Sequence, residues 1–272
     1  MAFRTSHLLA LVACVLAGPS QAQNATTGLR AMEAENDALV WQAVGRLDAK
    51  RSGFCTATLI APDLVLTAAH CVYDPQSGEP LAPEELTFKA GLRQGRIAAS
   101  RAVAQIEAHP SYDPQSPITA AKIRHDVALL RLARPIPTSE LDPFVVQEQR
   151  LSTGPVSVVS YGRNRENLPS RQDICKVKAM QEGVIFMDCN VTFGSSGAPV
   201  FSHQNGRGQI VSIISGMAQV DGRKMALGMA LPKVVHELRH RMWANKERPV
   251  AEIKRITVGG GNRAGGARFL RP

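Results

Sequence analysis

Short apolar runs recur along the chain and are separated by clusters of turn-forming residues. The runs are Ala57–Ile60, Leu64–Thr67, Val127–Leu132, Val156–Tyr161, Val184–Met187 and Gln209–Ile214. Between them stand segments such as Asp74-Pro75-Gln76-Ser77-Gly78 and His203-Gln204-Asn205-Gly206-Arg207-Gly208. Gly, Pro, Asn and Asp adopt turn conformations at little cost, so the pattern predicts many short strands of an all-β sandwich or barrel. One segment departs from it. From Pro232 to about Asn245, Val235, Leu238 and Met242 fall on one face at helical spacing, with proline at the start.

The two ends of the chain differ from its body. Arg4, the apolar stretch Leu8–Ala17 and the small residues Ser20 and Ala22 make residues 1–22 a secretory signal peptide, with cleavage after Ala22. The stretch is too short to span a bilayer. A second reading stands beside it: Leu11-Val12-Ala13-Cys14 resembles a bacterial lipobox, which would leave a protein lipid-anchored at Cys14. The apolar Val15-Leu16-Ala17 beyond it favours the first, and with it a secreted or periplasmic protein. Residues 23–39 are polar and alanine-rich and fit either a short propeptide or an ordered N-terminal arm. Of the formal charge of +9, most of the surplus lies in residues 245–272, where seven Lys/Arg face two Glu. Gly259-Gly260-Gly261 and Gly265-Gly266 make this a flexible basic tail suited to contact with anionic surfaces. Phe269 stands alone there, without the interleaved aromatics that stack on bases, so no specific nucleic-acid binding is expected. Oligomeric state is not legible in the sequence.

The chemistry is concentrated at three places: Thr67-Ala68-Ala69-His70-Cys71, His125-Asp126-Val127-Ala128-Leu129-Leu130 and Gly194-Ser195-Ser196-Gly197-Ala198-Pro199. Taken alone, a Gly-Ser-Ser-Gly is a linker, a His before a Cys is structural, and His-Asp-Val-Ala-Leu-Leu opens a core strand. Together they supply a base, a carboxylate and a hydroxyl in the order His, Asp, Ser, which distinguishes the chymotrypsin-type arrangement from other serine hydrolases. A serine hydroxyl needs a base during attack, and imidazole has a proton affinity near working pH. His70 is therefore the expected general acid/base, Asp126 its orienting carboxylate and Ser196 the nucleophile. The backbone amides of Gly194 and Ser196 are the expected oxyanion donors. With no Cys-x-x-Cys pair and no His-Glu-x-x-His, neither metal nor organic cofactor is expected. His236 and His240, at i,i+4 spacing, sit among arginines on a solvated helix face.

Phe54-Cys55-Thr56-Ala57-Thr58-Leu59-Ile60-Ala61-Pro62, running into Leu66–Cys71, resembles the trypsin/chymotrypsin family of serine peptidases. Its closest flavour is the bacterial branch that includes the glutamyl endopeptidases. The resemblance covers roughly residues 40–243. It implies two packed six-stranded antiparallel β-barrels with the active site between them and a C-terminal helix. The division is expected near Pro135–Pro143: a first barrel over 40–137, then a second barrel and helix over 138–244. The resemblance also implies a Cys55–Cys71 disulfide, and leaves Cys175 and Cys189 as a second pair. Vertebrate members carry, just before the nucleophile, an aspartate that pairs with a freed N-terminus; here the position is Ser195.

Specificity follows the same register. Asn190 stands where trypsin-like members have an aspartate, so strict cleavage after Lys or Arg is disfavoured. Val191 and Ile214 replace the polar residues of glutamyl endopeptidases. Ser215, Gly216 and Met217 are the expected edge that binds substrate backbone, with Met217 narrowing the pocket. These assignments favour a neutral or apolar residue before the scissile bond of a peptide or protein substrate. The alternative from another class is a catalytically inactive peptide- or partner-binding module on the same scaffold.

Overall fold

The computed structural model describes residues 26–50, 53–149, 153–203 and 207–246. The expected leader, with Cys14, and the basic tail beyond Lys246 lie outside them. The chain enters through β1 (Leu29–Ala31) and α1 (Glu35–Leu39). The first barrel follows: β2 (Val44–Ala49), β3 (Gly53–Ala61), β4 (Leu64–Thr67), β5 (Leu86–Ala90), β6 (Ala99–Ala108) and β7 (Ala128–Leu132), closed in the order β2-β3-β4-β7-β6-β5. The short helix α2 (Ala120–His125) stands just before β7.

The second barrel comprises β8 (Gly154–Gly162), β9 (Arg165–Gln181), β10 (Val184–Met187), β11 (Pro199–Ser202), β12 (Gln209–Val220) and β13 (Arg223–Met229). Its ring runs β8-β9-β10-β13-β12-β11 and returns to β8, with all pairs antiparallel. The helix α3 (Pro232–Lys246) closes the described chain.

Alternating apolar positions fill the barrels. Leu47, Leu59, Leu66, Phe88 and Leu129 are wholly or almost wholly buried in the first, each worth about 1.5–3 kcal/mol relative to exposure. The barrels also share a core. Phe201 of β11 lies 4.6 Å from Phe144 and 5.1 Å from Trp41, centroid to centroid, and Val159, Ile210 and Ile213 join the same cluster as the first barrel's interior. Aromatic packing of this kind fixes one barrel against the other, and with it the groove between them.

Every predicted apolar run lies wholly or mainly within a strand, and the helix spans Pro232–Lys246. Two differences matter. Gln209–Ile214 extends through half-exposed residues to Val220, because the backbone of Gly216–Val220 pairs with β13. The 17-residue β9 has no apolar run at all; it is held by pairing to β8 and β10, with Ser170, Gln172, Cys175 and Val177 turned inward. Although α3 follows the second barrel in sequence, it packs on β6 and β7 of the first. Arg241 and Asn245 both donate to the buried Glu107, at 2.8 and 2.7 Å.

Of the stretch 23–39, the described part forms an arm seated on the second barrel. Leu29–Ala31 pairs with Ser170–Gln172, the Thr27 amide donates to the Ile174 carbonyl at 2.8 Å, and Met32 is fully buried.

Candidate active site

β4 delivers His70 to the groove. Its last residue, Thr67, leads into a 3-10 turn over Ala69–Val72, and the Cys55–Cys71 disulfide ties that turn to β3. Asp126 follows α2, whose N-terminus is capped by the Thr119 hydroxyl accepting from the Lys122 amide. The carboxylate receives three donors. His70 Nδ1 lies 2.8 Å from Oδ2, the His70 amide donates to Oδ1 at 2.9 Å, and Ser215 Oγ donates to Oδ2 at 2.5 Å.

These contacts set the charges. Burial alone would raise the carboxyl's proton affinity, but the His70 charge and hydrogen bond, with the donors from Ser215 and the His70 amide, bring Asp126 below its ordinary value. For His70, burial works to lower the imidazole, and the Asp126 charge and hydrogen bond outweigh it, leaving it above 6.5. An anionic Asp126 at Nδ1 selects the tautomer protonated there, which leaves Nε2 free to accept a proton.

Ser196 lies in the turn between β10 and β11. Gly194 has φ +90° and Gly197 φ +75°, a region closed to most residues with a β-carbon. Space is also lacking: a Cβ on Gly197 would stand 2.3 Å from the Thr56 carbonyl and 2.3 Å from Thr67 Oγ1. The turn's hydrogen bonds divide cleanly. The amides of Ser195, Gly197 and Ala198 donate to Thr192, Ile214 and Ser195 carbonyls at 2.9, 2.7 and 3.0 Å. Those of Gly194 and Ser196 have no protein acceptor among the described residues. Two unpaired amides flanking one hydroxyl form a ready anion site. No hydrogen bond joins Ser196 Oγ to His70 among the described residues; both line one cleft, and such contacts commonly tighten only when substrate is bound.

The cleft encloses about 760 Å³. Val191, Thr192, Ile214, Ser215, Gly216 and Met217 line it beside Ser196. Phe54, Arg163 and Phe193 also line it, the Arg163 guanidinium 4.3 Å over the exposed Phe193 ring. A second hollow of about 600 Å³ continues past Met217 towards Tyr112 and Ile123. Asn190 is the one expected binding residue outside both. It is exposed, and its amide donates to Gln172 Oε1 at 2.6 Å; the cleft wall begins one residue later, at Val191. Ser215 is on the cleft as expected, but its hydroxyl is turned to Asp126. Cys175 and Cys189 are bonded, joining β9 to the segment after β10. The Cys55 and Cys71 sulfurs lie close to His70 but are bonded to each other, so neither is a thiolate donor for a metal.

Residues 52–211 match the family model of the trypsin-like peptidase domain, more than half of the chain. The chain belongs to the trypsin-like peptidase family. Among curated relatives, coagulation factor XII of Cavia porcellus is 40% identical over 106 residues, 38% of this chain. Coagulation factor XII of Sus scrofa is 39% identical over 83 residues, 29% of the chain. The matched segments span only 16% and 12% of those relatives' own lengths. Among solved structures, a Glu endopeptidase in complex with MPD superposes with a TM-score of 0.65 at 18% identity, covering 79% of this chain and 97% of that one. The thermostable serine protease AL20 from an extremophilic microorganism gives 0.61 at 17% identity, covering 76% and 99%. At these identities the structural likeness establishes the fold.

Sequence reasoning missed two residues of this trypsin-like peptidase that build the turn around Ser196. Thr56, on β3, bolts the first barrel to it. Its amide donates to the Ser196 carbonyl at 2.9 Å, its hydroxyl donates to the Gly194 carbonyl at 2.8 Å, and that hydroxyl accepts from the Tyr161 amide at 3.0 Å. A threonine between Cys55 and Ala57, one of two in a mostly apolar strand, was the available signal. The other is Arg165, which bonds to Ser195 from β9 at 3.1 Å; nothing in the sequence distinguished it from the many surface arginines.

Proposed function

We propose that the protein is a secreted serine endopeptidase that cleaves peptide bonds through an acyl-enzyme. Ser196 Oγ attacks the peptide carbonyl carbon as His70 Nε2 takes its proton, and Asp126 stabilises the imidazolium that forms. The carbonyl oxygen becomes an oxyanion held by the Gly194 and Ser196 amides. His70 then protonates the leaving amine, and the C–N bond breaks to leave an ester on Ser196. Water, deprotonated by His70, attacks that ester, and the proton returns to Ser196 as the acid departs. The observation that carries this reading is the pair of unpaired amides flanking Ser196 in the same cleft as the His70–Asp126 pair.

Val191, Ile214, Gly216 and Met217 carry no charge, which supports a neutral or apolar residue before the scissile bond. Two disulfides fit an oxidising compartment. The test is digestion of a peptide library by disulfide-bonded protein, read by mass spectrometry, with Ser196→Ala and His70→Ala as controls. Cleavage after neutral or apolar residues that both variants abolish is the expected result. Peptide binding without cleavage would overturn the reading in favour of an inactive binding module.

A further inference from the structure

Ser195 separates the two unpaired amides, and its polar groups are all engaged. Its amide donates to the Thr192 carbonyl at 2.9 Å and its carbonyl accepts from Ala198 at 3.0 Å. Its hydroxyl donates to the Tyr161 carbonyl at 3.1 Å and accepts from the Thr192 amide at 3.3 Å and from Arg165 Nη2 at 3.1 Å. The same Nη2 donates to Ser160 Oγ at 2.9 Å, while Nη1 donates to the Ser160 carbonyl. Ser160 and Ser195 are wholly buried. Burial lowers the Arg165 guanidinium to about 10 against the opposing charge of Glu166, and among the described residues no carboxylate lies within ion-pair distance of it. With only neutral acceptors, this cation divides its directional hydrogen bonds between Ser160 on β8 and the Ser195 hydroxyl, and so ties the turn to the strand.

With Ser195 pinned at its amide, carbonyl and hydroxyl, the Gly194–Ser195 and Ser195–Ser196 peptide planes lose their freedom to rotate, and the second of these carries the Ser196 N–H. The Gly194 N–H lies in the preceding plane, where the Phe193 carbonyl accepts from the Arg163 amide at 2.8 Å. We propose that Arg165 is a positioning residue for the oxyanion site, holding the Ser196 amide toward the cleft through Ser195. This rests on the proposed serine-peptidase function. The partners of the clamp among the described residues, Ser160, Tyr161 and Thr192, all belong to the second barrel. The arm at Leu29–Ala31 engages β9 elsewhere, at Ser170–Gln172. None of the clamp's hydrogen bonds involves arm residues 26–39.

The test uses the full-length, disulfide-bonded protein and a peptide that the wild type cleaves. Arg165→Ala and Ser195→Ala are each expected to lower kcat about 100-fold, the effect of a misplacement on the order of 1 Å at a reacting centre, with KM changed less than about threefold because the lost interaction is made in the transition state. The double variant should be no slower than Arg165→Ala alone. Millimolar methylguanidinium should restore about tenfold to Arg165→Ala and nothing to Ser195→Ala. Ser195→Ala removes one oxygen and carries the test if Arg165→Ala does not fold. Single-variant kcat within threefold of wild type, multiplicative losses in the double variant, or failure of methylguanidinium to rescue a folded Arg165→Ala would overturn the assignment. A wild type that cleaves nothing contradicts the proposed function instead, which separates the two failures.

Discussion

Gly194→Ala perturbs the proposed oxyanion site at one atom. The new Cβ would stand 2.4 Å from Phe54 Cε2, 2.7 Å from Phe54 Cζ and 3.1 Å from the Gly162 Cα, at φ +90°. The ring edge can swing aside, but the positive φ persists for any L side chain and costs about 1–2 kcal/mol. The cheapest relief is rotation of the Gly194 peptide, which turns its N–H away from the cleft. Loss of one such donor costs about 2.7–4 kcal/mol of transition-state stabilisation, or about 10²–10³ in kcat. Substrate binding does not use that donor fully, so KM should stay within a few-fold. Residual strain should lower Tm by about 2–8 °C for a protein of this size. Stopped-assay kinetics and calorimetry on the purified variant measure all three. Adding Phe54→Ala should recover part of the Tm and little of the kcat, since it removes the ring and leaves the φ. A folded Gly194→Ala with kcat within threefold of wild type would refute the role of this amide.

Thr56→Val should destabilise by about 2–6 kcal/mol, because the Gly194 carbonyl and Tyr161 amide each lose a partner in a buried site at about 1–3 kcal/mol apiece; thermal unfolding checks it. The acid limb of kcat/KM should lie above pH 6.5, since Asp126 raises His70 and only the neutral imidazole is a base. In Asp126→Asn that limb should move down in pH while activity falls by orders of magnitude through the wrong tautomer; a pH–rate profile of both proteins decides. The pair's contribution to folding should be fully present between about 3.8 and 6.5. It should fade below that window as Asp126 protonates through its lowered value, and above it as His70 deprotonates through its raised one. Urea unfolding across pH, compared with Asp126→Asn, measures this.

What could be read from the sequence was what local pattern encodes. Leu64–Thr67 and Val184–Met187 are strands to the residue because nearly every side chain in them is apolar and nearly every position is buried. Asp126, His70 and Ser196 stood out because glycines, a cysteine and core strands surround them. β9 escaped because its stability comes from backbone pairing on two sides, leaving its side chains free to be Arg, Asp or Lys. Ser215 was expected to present backbone to substrate, and its hydroxyl's bond to Asp126 across 89 positions has no local signal. Asn190 shows the converse: counting six places back from Ser196 selected it, but the residue is exposed and the cleft lining begins only at Val191. Arg165 and Thr56 act through contacts between segments 30 and 138 positions apart, which periodicity does not reach.

Treatment of the disulfide-bonded protein with a serine-directed fluorophosphonate, followed by peptide mapping, tests the central claim most directly. Stoichiometric label on Ser196, abolished in Ser196→Ala and strongly slowed in His70→Ala, is the predicted result. Label on Ser195, or no label on a folded protein at any pH between 6 and 9, would contradict it.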